Sequence, residues 1–154
     1  MQSLVSIYDR LIAFASSRIV EGLALLVTRL ALAGIFWRSY KTKIVEGTWF
    51  EIDEFQYILF DNEFAGLPLS SDIAVPLSMY AEFLFPILLA IGLASRFGAV
   101  ALMVMTLVIQ IFVFPTSAHF WGWAITPLAL GLIIVVRGGG LFSLDALIGS
   151  RRAK

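Results

Sequence analysis

The stretch Ile73–Ala94, IAVPLSMYAEFLFPILLAIGLA, constrains this chain more than any other. Its 22 residues carry one formal charge, Glu82, near the middle. A helix rises about 1.5 Å per residue, so this stretch matches the ~30 Å hydrocarbon core of a bilayer. A carboxylate at that depth is costly, and such groups face a bundle interior or a wet cavity. Four residues on, Pro86 has no N–H and leaves the Glu82 carbonyl without its helical donor. An ionisable side chain and a freed carbonyl therefore fall on one residue.

The rest of the chain is equally apolar. Of its 154 residues 60% are hydrophobic and 14% charged, with mean hydropathy +0.92. Soluble domains carry about 25% charged residues. The chain reads as one compact integral membrane bundle with no separate soluble domain. Lys+Arg and Asp+Glu balance at 11 each, so no nucleic-acid partner is expected. The absence of cysteine excludes disulfides, thiolate metal sites and iron–sulfur clusters from the chain itself. The single histidine, His119, excludes bis-histidine haem ligation within one chain, and no metal site is expected. The opening MQSLVSIYDRL has no basic leader and is not read as a secretory signal.

The expected fold class is an all-α membrane protein, a four-transmembrane-helix bundle with an N-terminal amphipathic helix and a short C-terminal helix. Within 1–21, Leu4, Ile7, Tyr8, Leu11 and Phe14 recur at helical spacing, which predicts a helix lying in the headgroup plane. The spans are expected at 22–43, 73–94, 97–115 and 120–136, followed by a tail over 137–154. Ser71 or Asp72 is expected to cap the second span, Ser95-Arg96 to form the turn after it, and Ser143 to cap the last helix. The connection 44–72 carries Glu46, Glu51, Asp53, Glu54, Asp61, Glu63 and Asp72 but no Lys or Arg. Its aromatics suit a surface element, and WFEIDEFQYILF is read as one membrane-surface helix or cap. Arg10, Arg18, Arg96, Arg137, Arg151, Arg152 and Lys154 gather on one side, against Arg38, Lys41 and Lys43 on the other. The positive-inside rule then places both termini in the cytoplasm and the acidic loop outside, in a bacterial or archaeal plasma (inner) membrane.

The candidate intramembrane polar site comprises Arg29, Glu82, Gln110, Arg38, Lys41 and His119. Helical spacing puts Arg29, Ala33, Phe36, Tyr40 and Lys43 on one face, Met103, Thr106 and Gln110 on another, and His119, Trp123 and Thr126 on a third. These faces are expected to converge with Glu82 on the bundle interior. Two partners for Glu82 remain open. Arg29 would make a buried strut that fixes helix register. Arg38 or Lys41 would make a charged pocket open to the outer face. His119 reads either as an interfacial histidine or as a proton or quinone contact. The methionines and the Trp121–Trp123 pair read as packing and interfacial anchoring.

Three stretches together resemble the DoxX family of small four-span membrane proteins. Thr28-Arg29-Leu30-Ala31-Leu32-Ala33-Gly34-Ile35-Phe36, with Ser39 and Lys41, is similar to the family's arginine, glycine–x–phenylalanine and lysine run on its first helix. Ala81-Glu82-Phe83 through Gly92-Leu93-Ala94-Ser95-Arg96 is similar to its acid-to-arginine second helix and turn. Gly138-Gly139-Gly140-Leu141-Phe142-Ser143-Leu144-Asp145 looks like its glycine–x–glycine and serine–leucine–aspartate ending. The resemblance covers about Leu25 to Leu147, although Trp37-Arg38-Ser39-Tyr40 stands where a small glycine-containing step is usual.

That resemblance implies an accessory subunit of a quinone-linked membrane oxidoreductase, with no intrinsic cofactor and with quinone as its ligand. The redox centre would sit on a soluble or membrane partner subunit. Arg29, Arg38, Lys41, Gln110 or His119 would donate to quinone carbonyls and Glu82 would handle protons. The alternative is a non-enzymatic membrane partner that docks a soluble protein, or passes a small solute or metal complex, through the acidic loop. A homo-oligomer is compatible with either reading.

Overall fold

The computed structural model describes residues 2–152. Helix α1 spans Gln2–Ala15 and α2 spans Arg18–Lys41. A short α3, Phe55–Asn62, lies in the long connection, followed by α4, Ser71–Ile91. The helical segments α5, Ser95–Val113, and α6, Ser117–Arg137, follow, and α7 is Leu144–Arg152. Among the described residues the only extended pairing is one antiparallel bridge, Ile44 to Ile52. Helices α2, α4, α5 and α6 are each long and apolar enough to cross a bilayer. This is an all-helical membrane protein.

The four spans form a ring in sequence order. Helix α2 packs on α4, α4 on α5, α5 on α6, and α6 back on α2. Consecutive spans joined by short turns must run antiparallel. The α1–α2 junction, the α4–α5 turn and α7 therefore share one end of the bundle, here the termini end. The acidic connection and the α5–α6 turn share the other, the capped end.

The termini half is packed dry. Leu32, Ala33 and Phe36 of α2 meet Leu89 of α4, Ala99 and Leu102 of α5, and Ile134 of α6 in one buried cluster. The spacing of Ala99, Leu102 and Thr106 on α5 follows the helical repeat, which keeps one stripe inward. The outer face stays apolar, with Val27, Leu77, Val104 and Leu132 exposed where lipid would cover them.

Several boundaries differ from the sequence expectation. Helix α2 ends at Lys41, so Lys43 lies beyond it in the bridged segment rather than inside a span to residue 43. Helix α4 begins at Ser71 after Ser70, whose side chain makes no capping bond. The turn after α4 is Gly92–Ala94, and Ser95 already belongs to α5. The segment Trp49–Phe60 is not one helix. Asp53 Oδ1 accepts the Phe55 N–H at 2.9 Å, an Asx-type start that delays the helix to Phe55. Ser143 does cap α7, accepting the Ala146 N–H at 3.1 Å.

Two of the spans contain a π turn. In α5 it covers Ile109–Val113, and in α6 it covers Phe120–Ala124. Each adds one residue per turn relative to the α-helix. The helical face after the α6 insertion is therefore displaced by one position. Thr126, expected inside, is exposed, and Ala124, Pro127, Gly131 and Ile134 face inward instead.

Candidate functional site

Glu82 is 2% exposed at the middle of α4. Its partner is Lys43, which neither sequence alternative named. Lys43 Nζ donates to Glu82 Oε2 at 2.8 Å and to Ser39 Oγ at 3.1 Å. Ser39 Oγ in turn donates to Glu82 Oε1 at 3.0 Å. Both carboxylate oxygens are thereby satisfied, as a buried charge requires.

Local structure explains why Lys43 reaches down. The chain past α2 is tied back onto the bundle instead of leaving it. Val45 N–H donates to Glu51 O at 2.8 Å and Asp53 N–H to Lys43 O at 3.0 Å. The Tyr40 hydroxyl donates to Trp49 O at 2.5 Å, and Gln56 Nε2 to Thr42 O at 3.1 Å. Held under this cap, the Lys43 side chain is largely buried and turns toward Ser39, one turn back on α2.

Arg38 and Lys41 sit on the outside. Arg38 is exposed and donates from Nε to Gly34 O of its own helix at 3.3 Å. Lys41 is exposed and lies 5.9 Å over the Tyr40 and Trp49 rings. Arg29 is fully buried but belongs to the other half of the molecule. Its guanidinium donates to Leu89 O at 2.6 Å, Ala90 O at 3.2 Å and Phe142 O at 2.5 Å. Arg29 thus caps the carbonyl end of α4 and anchors the tail, and it does not touch Glu82.

His119 and Gln110 meet across the α5–α6 turn. His119 Nδ1 lies 2.7 Å from Gln110 Oε1. Gln110 Nε2 donates to Phe114 O at 2.9 Å and Thr116 O at 3.1 Å, so its oxygen must face the histidine. Nδ1 then carries the hydrogen, and Nε2 of a neutral ring is a free acceptor. The ring packs between Phe114, at 4.8 Å, and Trp123, at 5.3 Å between centroids. The two π turns bracket this contact: Gln110 lies in the first, and His119 directly precedes the second.

A cavity of about 690 Å³ joins the two polar groups. Ser39, Lys43 and Glu82 line it on one side and His119 with Trp123 on another. Apart from Ser78, whose hydroxyl is spent on Val75 O, its remaining walls are apolar: Ile35, Ala81, Met105 and Ile109 from the helices, and Phe60, Phe64 and Leu67 from the cap. Leu77 of α4 and Val104 of α5 also line it, and both are more than half exposed on the lipid-facing surface. The cavity thus reaches the outer surface beside α4 and α5. Of the six sequence candidates it brings Glu82 and His119 together, with Gln110 behind the histidine, and leaves out Arg29, Arg38 and Lys41. Sequence reasoning omitted Lys43 and Ser39 from the site, although Lys43 falls on the predicted Arg29–Tyr40 face and Ser39 stands four residues before it. Among the described residues no group of three His, Asp or Glu side chains could hold a metal ion.

The family model described as DoxX matches residues 24–115, more than half of the chain. The chain belongs to the DoxX family. The matched segment holds Arg29, Ser39, Lys43, Glu82 and Gln110, while His119 and the Gly138–Asp145 ending lie beyond it. No curated protein and no solved structure matches the chain.

Proposed function

We propose that this protein is a membrane accessory subunit of a quinone-linked redox complex, and that the cavity holds the quinone head group. The observation that carries the reading is the cavity itself: apolar walls, two separate polar ends and an opening to the hydrocarbon. That combination fits an apolar ring with an oxygen at each end and a lipid-soluble tail. Family membership adds to it, because DoxX proteins are linked to quinone-associated oxidation. A quinone would supply the two-electron, two-proton chemistry, with electrons from a partner subunit. This chain's residues would bind and orient. Lys43 Nζ and Ser39 Oγ offer donors at one end. His119 Nε2 accepts from a hydroxyl when neutral and donates to a carbonyl when protonated. Glu82 holds the Lys43 ammonium in place and gives a proton a resting point beside the ring.

The test is quinone retained after mild extraction, with His119→Leu and Glu82→Gln compared with wild type. Retention should fall in both variants while the His119→Leu protein melts as wild type does. If wild type carries no quinone and neither variant alters quinone reduction in membranes, the reading fails.

The orientation proposed puts both termini in the cytoplasm of a cell membrane. Arg18, Arg96 and Arg137 crowd the termini end, and burial of Lys43 against Glu82 removes one of the three cations from the capped end. A second reading, docking of a basic soluble partner, rests on the cap. Glu46, Glu51, Asp53, Glu54, Asp61, Glu63 and Asp72 are all exposed, with no basic residue from 44 to 95. Neutralising Glu51, Glu54, Asp61 and Glu63 tests it without removing the buried Gln56 and Phe60, and unchanged partner capture would count against it.

A further inference from the structure

A second cleft, of about 670 Å³, lies at the termini end, far from Glu82. It runs between the start of α2, the α4–α5 turn and the loop Gly138–Leu141. Arg18, Arg96 and Arg137 reach it from three different elements. Two carboxylates also line it, and both are engaged. Glu21 is ion-paired with Arg137. Asp145 accepts the Ala94 and Ser95 N–H groups at 2.8 Å each. Arg18 has no partner among the described residues, and Arg96 makes only a 3.4 Å bond to Val136 O. The cleft therefore holds one more positive than negative charge, and its spare donors are guanidinium groups.

The glycine loop completes the lining. Gly138 and Gly140 have φ of 78° and 77°, a conformation side chains resist. The amides of Gly139, Gly140 and Leu141 donate to no group among the described residues. Arg96 lies over this loop, with Nη2 3.6 Å from where a Gly138 Cβ would stand. Guanidinium groups beside free backbone amides form a phosphate-binding arrangement. On either side, Phe97 is 64% and Leu141 45% exposed, which gives the cleft apolar shoulders. The spans place it at the level of the headgroups.

We infer that this cleft binds the headgroup phosphate of an anionic phospholipid, held chiefly by Arg18 and Arg96 against the Gly138–Leu141 loop. The excess of one positive charge selects an anionic lipid over a zwitterionic one. The apolar shoulders select a lipid over free phosphate. Arg137, fixed by Glu21, orients the site.

The full chain is reconstituted in mixed phosphatidylcholine–phosphatidylglycerol vesicles, re-extracted, and its retained lipids weighed by native mass spectrometry. Wild type should keep phosphatidylglycerol in preference, and Arg18→Gln/Arg96→Gln should lose that preference by on the order of tenfold. Arg38→Gln/Lys41→Gln, with the same charge change at the capped end, should keep it. Both arginines are exposed, and a thermal melt confirms that the double variant is folded. Equal retention of the two lipids by wild type, or an unchanged preference in the Arg18/Arg96 variant, overturns the assignment. In a second arm inorganic phosphate is added to lipid-free protein. A rise in melting temperature that phosphatidylglycerol does not reproduce would move the site to a soluble phosphate and overturn the lipid assignment.

Discussion

At the scale of single residues, Glu82 is held by a lysine that stands outside the helices. A buried carboxylate takes whichever cation the fold leaves without water, and the cap leaves Lys43 without it. Arg38 and Lys41 lie in the last turn of α2 but keep water or an aromatic face. Arg29 shows the complementary rule. A guanidinium has five donors and no acceptor, and here three main-chain carbonyls take the Arg29 Nη groups while its Nε stays buried without a partner. The Lys43–Glu82 pair is nearly dry, with side chains 10% and 3% exposed. Removing one partner of such a pair strands the other, at a cost of about 3–5 kcal/mol, whereas replacing both by apolar groups is often neutral. Lys43→Met and Glu82→Leu should therefore each lower the melting temperature in detergent strongly. The double variant should recover most of the loss. A double-mutant cycle with additive losses would show that the pair is not coupled as drawn.

At the scale of elements, the helices were legible in the sequence, and so was the inward face of α2, whose Arg29, Ala33, Phe36 and Tyr40 are buried, but the phase of α6 was not. Apolar runs of membrane length fix where α2, α4, α5 and α6 lie, because the bilayer admits few other spanning structures. The resemblance likewise rested on Arg29, Glu82 and Asp145, whose positions survive in the structure. Nothing in FWGWA announces a π turn, although Pro127 just downstream offers no N–H to the Trp123 carbonyl. Thr126 was therefore placed on the wrong face. Within the cap, where the helix begins was hidden for a related reason: the Ile44–Ile52 bridge is a contact between residues eight apart, invisible to helical periodicity. The π turn makes a direct prediction. Gly122 is exposed, with nothing outside its own stretch of helix within 4 Å of where a side chain would begin. Deleting it should restore α-helical winding and leave His119 in phase with the Pro127–Ile134 face, because the wide turn accommodates the one residue removed. His119 is the only histidine, so its imidazole nitrogen resonances are unambiguous. Wild type should show the Nδ1–H tautomer, and the deletion should keep it while the bundle still melts cooperatively. A lost tautomer signature would mean that the wide turn itself, rather than the helical phase, holds the ring against Gln110.

At the scale of the whole molecule, the two halves do different work. The capped half encloses the cavity and leaves its seams open to lipid. The termini half is locked by two crossed contacts: Arg29 on the carbonyl end of α4, and Asp145 on the amide end of α5. The chain between those helix ends turns through Gly92 and Ala94, both at positive φ. For Ala94 that conformation is strained, and it is held by the Asp145 bond to its N–H. The same contact docks α7, because Asp145 N–H donates to Gly92 O at 2.9 Å. Burial by itself would raise the Asp145 carboxyl. The Ser95 and Ala94 amides and the Arg29 charge outweigh it and hold the group below its ordinary value of 3.8. The docked state thus binds a proton less readily than the released one. Docking is complete above the ordinary value and is lost as pH falls through the lower, docked value. The chain has no cysteine, so a spin label on Gly149→Cys reports α7 alone. In wild type the label should be slow at neutral pH and become mobile only in that acid range. With Asp145→Asn it should be mobile at every pH, since the amide replaces one anionic acceptor with a donor. A label equally slow in both proteins, or one whose mobility in wild type changes near neutral pH, would show that something other than Asp145 holds the tail to the bundle.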